Sequence, residues 1–176
     1  NMIPGVQHVN RMIVRNNGGT SEVYATAGDT FYNAAGTTTY LGGATMGLYK
    51  SVDNGVTWTE VTLPLTSNGK KHAVNDIEIG ADNKIWISTI DSRVWENGGG
   101  KIFSSTDGIN FVQKHEVVGG LRTEIAVSKT VADKVYVLAE VGSGTAATVE
   151  LLSTTNGFTT TTTLSKPVDA DTGIPA

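Results

Sequence analysis

The chain has 176 residues, 39% hydrophobic and 17% charged, with 21 Gly and 25 Thr; this supplies the core of one domain but too little Leu, Ala, Glu and Lys for long helices. Thirteen Lys and Arg against 17 Asp and Glu leave a formal charge of −4 with no long run of either sign, which excludes the basic footprint of a nucleic-acid or anionic-membrane binder. Without cysteine, disulfides, thiolate metal sites and cysteine nucleophiles are excluded too.

No apolar run reaches the length of a spanning helix, and the first residues lack the basic, apolar, small-residue order of a signal peptide. Because the chain opens at Asn1, a leader or longer precursor is expected before it.

In chain order, the first strand is read at Asn10-Arg11-Met12-Ile13-Val14 and the second at Glu22-Val23-Tyr24-Ala25-Thr26. A long loop over 29–45 carries Tyr32 and Tyr40. A hairpin follows, with Ser51-Val52-Asp53-Asn54-Gly55-Val56-Thr57-Trp58 at its turn. The same succession then returns. Asn75-Asp76-Ile77-Glu78-Ile79 and Lys84-Ile85-Trp86-Ile87-Ser88 precede a loop over 91–100 and a hairpin turning through Ser105, Asp107, Gly108 and Phe111. Thr123-Glu124-Ile125-Ala126-Val127 and Lys134-Val135-Tyr136-Val137-Leu138 precede a loop over 142–147 and a hairpin with Ser153 and Gly157.

Three registers agree on this repeat. Apolar residues recur at Met12, Ile77 and Ile125 and at Val14, Ile79 and Val127, an aromatic at Tyr24, Trp86 and Tyr136, and the hairpin serines are 54 and 48 residues apart. A period near 50 suits one four-stranded propeller blade per repeat. The turn is read as a device of its own: Asp53 accepts hydrogen bonds from turn amides, Gly55 supplies a positive φ and Trp58 packs between strands.

The turn pattern resembles the Asp-box, or BNR repeat, of sialidases, xyloglucan-cleaving glycosidases and the sortilin ectodomain, all β-propellers; residues 51–58 match it throughout. The resemblance implies an all-β chain made of three four-stranded blades, about 6–65, 66–118 and 119–166, with 167–176 a connecting loop. Its overall pattern is also similar to the large secreted propeller proteins of Bacteroidota exported by type IX secretion, which implies an N-terminal fragment of such a protein. Three blades leave sheet faces open, so the remaining blades of the precursor, or a partner chain, are expected to cover them.

The face opposite the box turns is where a ligand is expected. Arg11, Asp76 and Glu124 share one register and are expected to converge, either as an acid/base pair or as charges solvating a channel. The 91–100 loop places Asp91, Arg93, Trp95 and Glu96 together, with Trp95 expected to stack on a sugar ring or peptide side chain beside Tyr32 and Tyr40. His8, His72 and His115 lack ligand spacing, so no metal or cofactor is expected. The chain lacks the arginine-bearing segment of sialidases, Met2-Ile3-Pro4-Gly5 standing there instead, while Asp91 is nearest to the catalytic Asp of the xyloglucan-cleaving family. The favoured function is noncatalytic recognition, of glycan or protein, by a secreted or cell-surface module. The alternatives are a propeller glycoside hydrolase and a purely structural cargo domain.

Overall fold

A computed structural model describes residues 8–34 and 36–166 of the chain. Among them are β1 (His8–Asn17), β2 (Thr20–Gly28), β3 (Thr30–Ala34), β4 (Thr37–Leu41), β5 (Gly47–Ser51), β6 (Thr59–Val61), β7 (Ala73–Ile79), β8 (Ile85–Ile90), β9 (Lys101–Ser105), β10 (Val112–Glu116), β11 (Gly120–Val127), β12 (Val135–Val141), β13 (Thr148–Thr154) and β14 (Thr162–Thr163). A single 3-10 turn at Gly144–Ala146 is the one helical element among the described residues. The fold is all-β, and each strand pair is antiparallel.

The first sheet has the order β1-β2-β5-β6. Strands β7 to β10 and β11 to β14 form two further meanders, joined into one eight-stranded sheet by the single pair Arg122↔Ile90. We refer to the three four-stranded runs as the first, middle and last sheets. The 29–45 segment expected as a loop folds instead into the β3–β4 hairpin, Ala34 pairing with Thr37. Its Thr37-Thr38-Thr39 run has the β-branched stiffness of a strand without the apolar alternation by which strands are recognised. Tyr32 lies on β3, but its side chain is outside the described residues, as are Met2 to Gly5 and the expected connecting loop 167–176.

Burial along the strands shows how the sheets stack. In β12, Val135, Val137 and Ala139 are buried while Tyr136 and Leu138 are exposed, the alternation of a sheet covered on one side. In β8, Ile85, Trp86, Ile87 and Ser88 are all buried, so the middle sheet is covered on both. Tyr24 and Leu48 of the first sheet pack against Ile77, Ile85, Ile87 and Phe103 of the middle one. On its other face, Trp86 and Ile102 meet Ile125, Val127, Val135, Val137 and Leu152. Each such side chain contributes roughly 1.5–3 kcal/mol of transfer free energy, so these two layers hold the stack.

Polar spokes fix the sheets relative to each other near the start of β1, β7 and β11. Register shifts leave Asn10 and Asn75 as extra residues in β1 and β7, and a bulge re-aims the side chain it carries. Asn10 Nδ2 donates to the Val74 carbonyl at 2.8 Å and Asn75 Nδ2 to the Thr123 carbonyl at 2.7 Å. Beside them, Thr26 Oγ1 reaches the Asn75 carbonyl at 3.4 Å and Ser88 Oγ the Thr123 carbonyl at 2.6 Å.

The hairpin turns are built by the side chains that the sequence marks. Ser51 Oγ donates to Asp53 Oδ1 at 2.8 Å and accepts from the Gly55 amide at 2.9 Å. Asp53 accepts from the Thr57 amide at 2.8 Å and its hydroxyl at 2.6 Å. In the second turn Ser105 and Asp107 repeat this, with Gly108 and Asn110 as donors. Asp53 is held down at about 2 by the Thr57 hydroxyl and amide and by Ser51, while Asp107 is depressed by Asn110 first.

Two details differ from the expectation. Trp58 is half-buried and folds over its own turn, Nε1 donating to the Gly55 carbonyl at 3.1 Å; its counterpart Phe111 is the one that enters the core. In the third turn the bonds fall one residue later than Ser153 and the expected Asp position. Thr154 Oγ1 donates to Asn156 Oδ1 at 3.0 Å and accepts from the Phe158 amide, while Asn156 Oδ1 accepts from the Thr160 amide. Phe158 therefore stands where Gly55 stands in the first turn, with φ 72 against 85. Its ring is 5.7 Å from Trp86 and stacked 4.9 Å from His115, contacts that offset the strained backbone. Gly157 instead supplies the preceding positive φ and bonds the Asp133 carbonyl.

The second turn also docks on the first sheet through a buried cluster. Glu22 accepts from Tyr24 Oη at 2.9 Å and from Asn17, and Lys50 Nζ lies 2.6 Å away. Arg15 bridges Glu22 to the Thr106 carbonyl. Burial pushes the Glu22 carboxyl up, but Lys50, Asn17 and Tyr24 together more than offset this and hold it below its ordinary value.

Candidate functional site

The antiparallel β8–β9 ladder pairs Ile85 with Ser105. The hairpin turn that follows Ser105 and the 91–100 loop that follows Ile90 therefore leave opposite ends of β8. The sequence places this loop at the site end, and Asp29 anchors it there. Ser92 Oγ donates to Asp29 Oδ2 at 2.6 Å, the Val94 amide to the same oxygen at 2.9 Å and the Arg93 amide to Oδ1 at 3.0 Å. Within the loop, the Glu96 amide bonds the Ser92 carbonyl at 2.8 Å, and Glu96 has a left-handed φ of 48. At the loop's base, Asp91 Oδ1 accepts from the Gly99 amide at 2.7 Å, while the Asp91 amide donates to the Leu121 carbonyl.

These bonds shape a cavity of about 410 Å³ lined by Phe31, Tyr40, Ile90, Asp91, Ser92, Arg93, Glu96, Leu121, Arg122 and Glu140. It brings together Tyr40, Asp91, Arg93 and Glu96 of the residues marked in the sequence. Trp95 is not among the lining residues: it is 38% exposed and lies under Lys70 Nζ, 4.3 Å from the ring centroid. Its ring thus meets Lys70 of the 66–70 loop. Phe31, Arg122 and Glu140, which no local pattern singled out, complete the lining from the β3–β4 hairpin and the last sheet.

A second cavity of about 400 Å³ adjoins the first across Ile90 and Arg122. Here Arg11, Asp76 and Glu124 do converge, with His8, Asn10 and Asn75 beside them. Arg11 Nε lies 3.2 Å from Asp76 Oδ1, and its Nη2 pairs with Glu78. Asp76 is buried, with Oδ1 accepting from the Ile77 amide at 2.8 Å and Oδ2 from the Ile125 amide at 3.1 Å. Burial raises its pKa; the Ile125 amide, Arg11 and the Ile77 amide oppose this, and Glu124 adds to it. Both oxygens are thus engaged: Oδ2 joins the middle sheet to the last through Ile125, while Oδ1 is held by the Ile77 amide of its own strand and by Arg11 of the first sheet. Glu124 takes Asn75 Nδ2 at 3.1 Å and Arg122 Nε at 2.9 Å, leaving Arg122 59% exposed toward both cavities.

The three histidines stay apart. His8 lines the second cavity, His72 is buried with Nδ1 3.0 Å from the Gly98 carbonyl, and His115 stacks on Phe158. Among the described residues, no group of three or more His, Asp or Glu could hold a metal ion, and no helix is long and apolar enough to cross a membrane.

No family model, curated protein or solved structure matches the chain.

Proposed function

We propose that this chain is a noncatalytic recognition module, three β-propeller blades of a secreted or cell-surface protein, which binds a glycan or an extended peptide across the two adjoining cavities. One observation carries this reading. The end of the stack opposite the box turns holds two cavities that share Ile90 and Arg122, in which Tyr40 and Phe31 supply aromatic faces and Arg93, Glu96, Arg122 and Glu140 supply polar contacts. Such a mixture stacks on apolar ring faces and satisfies hydroxyls or peptide charges at once. The three meanders in sequence order and the Ser51–Asp53 and Ser105–Asp107 turns support the propeller reading. Placement in a type IX-exported Bacteroidota protein rests on the sequence resemblance alone. The commitment of both Asp76 oxygens to backbone amides favours binding over acid/base hydrolysis.

The test is a binding screen on immobilised glycans and peptides, with Tyr40→Ala, Arg93→Ala and Trp95→Ala beside the wild type. Truncating an anchor commonly costs more than about 1 kcal/mol, so Tyr40→Ala and Arg93→Ala should weaken binding at least about fivefold with unchanged melting. Trp95→Ala, outside the cavity, should bind nearly as the wild type does. Equal binding by all variants, or loss only with Trp95→Ala, overturns the assignment.

A further inference from the structure

Both internal sheet contacts have the same polarity. On the front of the first sheet Lys50 sits over Tyr24, 5.5 Å from its centroid, and on the front of the middle sheet Lys84 sits over Trp86 at 5.7 Å. The back of the following sheet covers each with aliphatic side chains, and its hairpin turn closes over the aromatic: the Gly108 carbonyl is 3.3 Å from Tyr24 Oη, and Phe158 packs on Trp86.

Among the described residues, one face of each kind is uncovered. On the front of the last sheet Lys134 sits over Tyr136 at 5.5 Å, repeating the signature, yet Tyr136 is 38% and Leu138 44% exposed. On the back of the first sheet Met12 and Val14 take the registers of Ile125 and Val127, yet are 55% and 63% exposed where those are 5% and 8%.

We propose that a second copy of this chain covers these faces. The front of the last sheet of each copy lies on the back of the first sheet of the other, so that two copies close a ring of six sheets. Front on back is the contact that the chain already makes twice. The described residues of one copy offer each half of it once, so two copies match these faces to each other in a head-to-tail contact that closes. Four-stranded sheets arranged radially close at about four to eight. By register, Gly55 of the partner's first turn comes over Tyr136 as Gly108 does over Tyr24. Leu138 holds the register of Thr26 and Ser88, whose hydroxyls reach the carbonyls of Asn75 and Thr123, each two residues before the register of Met12. The intermolecular contact therefore exchanges that hydrogen bond for apolar contact around Leu138 and Met12.

Sedimentation equilibrium of the full chain from low micromolar to near-millimolar concentration tests this. The expected result is a reversible species of twice the 18.5 kDa chain mass and none larger. Leu138→Glu and Met12→Lys, both at exposed positions, should each weaken association at least about tenfold while circular dichroism stays unchanged. The double variant, in which opposite charges meet across the contact, should recover most of the loss. A monomer at every concentration overturns the proposal and leaves the faces to a sheet from outside these 176 residues. So do open-ended polymers, or a dimer indifferent to both substitutions.

Discussion

Ser92 Oγ donates to Asp29 Oδ2 at 2.6 Å across 63 positions of sequence. This bond ties the end of β2 in the first sheet to the loop after β8 in the middle one, and with it one wall of the larger cavity. The Asp29 carboxylate is buried and accepts two backbone amides besides.

Asp29→Ala should therefore act on stability and on the site together. It leaves the Arg93 amide and the buried Ser92 hydroxyl without their acceptor and the Val94 amide with Ser92 Oγ alone at 3.2 Å, and a buried group stranded as the Ser92 hydroxyl is costs about 1–3 kcal/mol before relaxation or water entry. A loss of about 2 kcal/mol in urea unfolding is expected, with faster hydrogen exchange at 92–96. Asp29→Asn keeps one acceptor oxygen and should lose less. An Asp29→Ala chain as stable as the wild type, with 92–96 still protected, would show that the loop is held by its own turns.

The division between what the sequence revealed and what it hid follows the range of the interactions. The registers of Tyr24, Trp86 and Tyr136 and of Arg11, Asp76 and Glu124 are legible because strand alternation is local and the repeat aligns it three times. Asp91, Arg93 and Glu96 are legible because they share one loop. Arg122 and Glu140 come to the same cavity because the last sheet packs beside β8, where Arg122 pairs with Ile90. A bridge of one residue pair leaves no pattern in the sequence. Chemistry hid the rest: in Ser153-Thr154-Thr155 three hydroxyls compete for the role of Ser51, and only the geometry selects Thr154. A loop's composition does not tell which of its side chains line a cavity: Glu96 does, and Trp95 beside it does not.

The acid limb of stability should report the hairpin turns at Asp53 and Asp107. Thr57 and Ser51 depress the Asp53 carboxyl from 3.8 to about 2. A carboxyl whose folded pKa lies below its unfolded value contributes stability above about pH 4 and loses it as pH falls through about 2. Asp107 is depressed by Asn110 and acts in the same direction. Thr57→Val removes the hydroxyl donor while leaving its amide, so melting temperature should fall less steeply between pH 4 and 2 than in the wild type. Binding at neutral pH should not change, because the first turn lies at the end of the stack away from the cavity. An unaltered acid limb in both Thr57→Val and Asp53→Asn would show that the turn carboxylate is not linked to folding.

The base of the 91–100 loop makes a sharper test of how closely the middle and last sheets approach. Gly99 lies against the backbone of β11: a Cβ there would overlap the Leu121 carbonyl oxygen and stand 2.7 Å from both the Gly120 carbonyl oxygen and Asp91 Oδ1. The obstacles are chiefly backbone, which cannot swing aside as the end of a flexible side chain can. Gly99→Ala must therefore push β11 away or break the bond from the Gly99 amide to Asp91. Either movement disturbs the Arg122↔Ile90 pair and the amide bond from Asp91 to Leu121. Overpacking of this kind typically costs about 1–3 kcal/mol, and here it should be read at two places. Urea unfolding should report the lost stability, and hydrogen exchange should report opening at 90–91 and 120–122, with Ile85 and Ile87 still protected at the far end of β8. Gly69→Ala serves as a control, since its positive φ of 73 carries backbone strain but no atom lies within 4 Å of its Cβ position. If Gly99→Ala proves no worse than Gly69→Ala and leaves exchange at 120–122 unchanged, the close approach of the two sheets at this loop does not hold in solution.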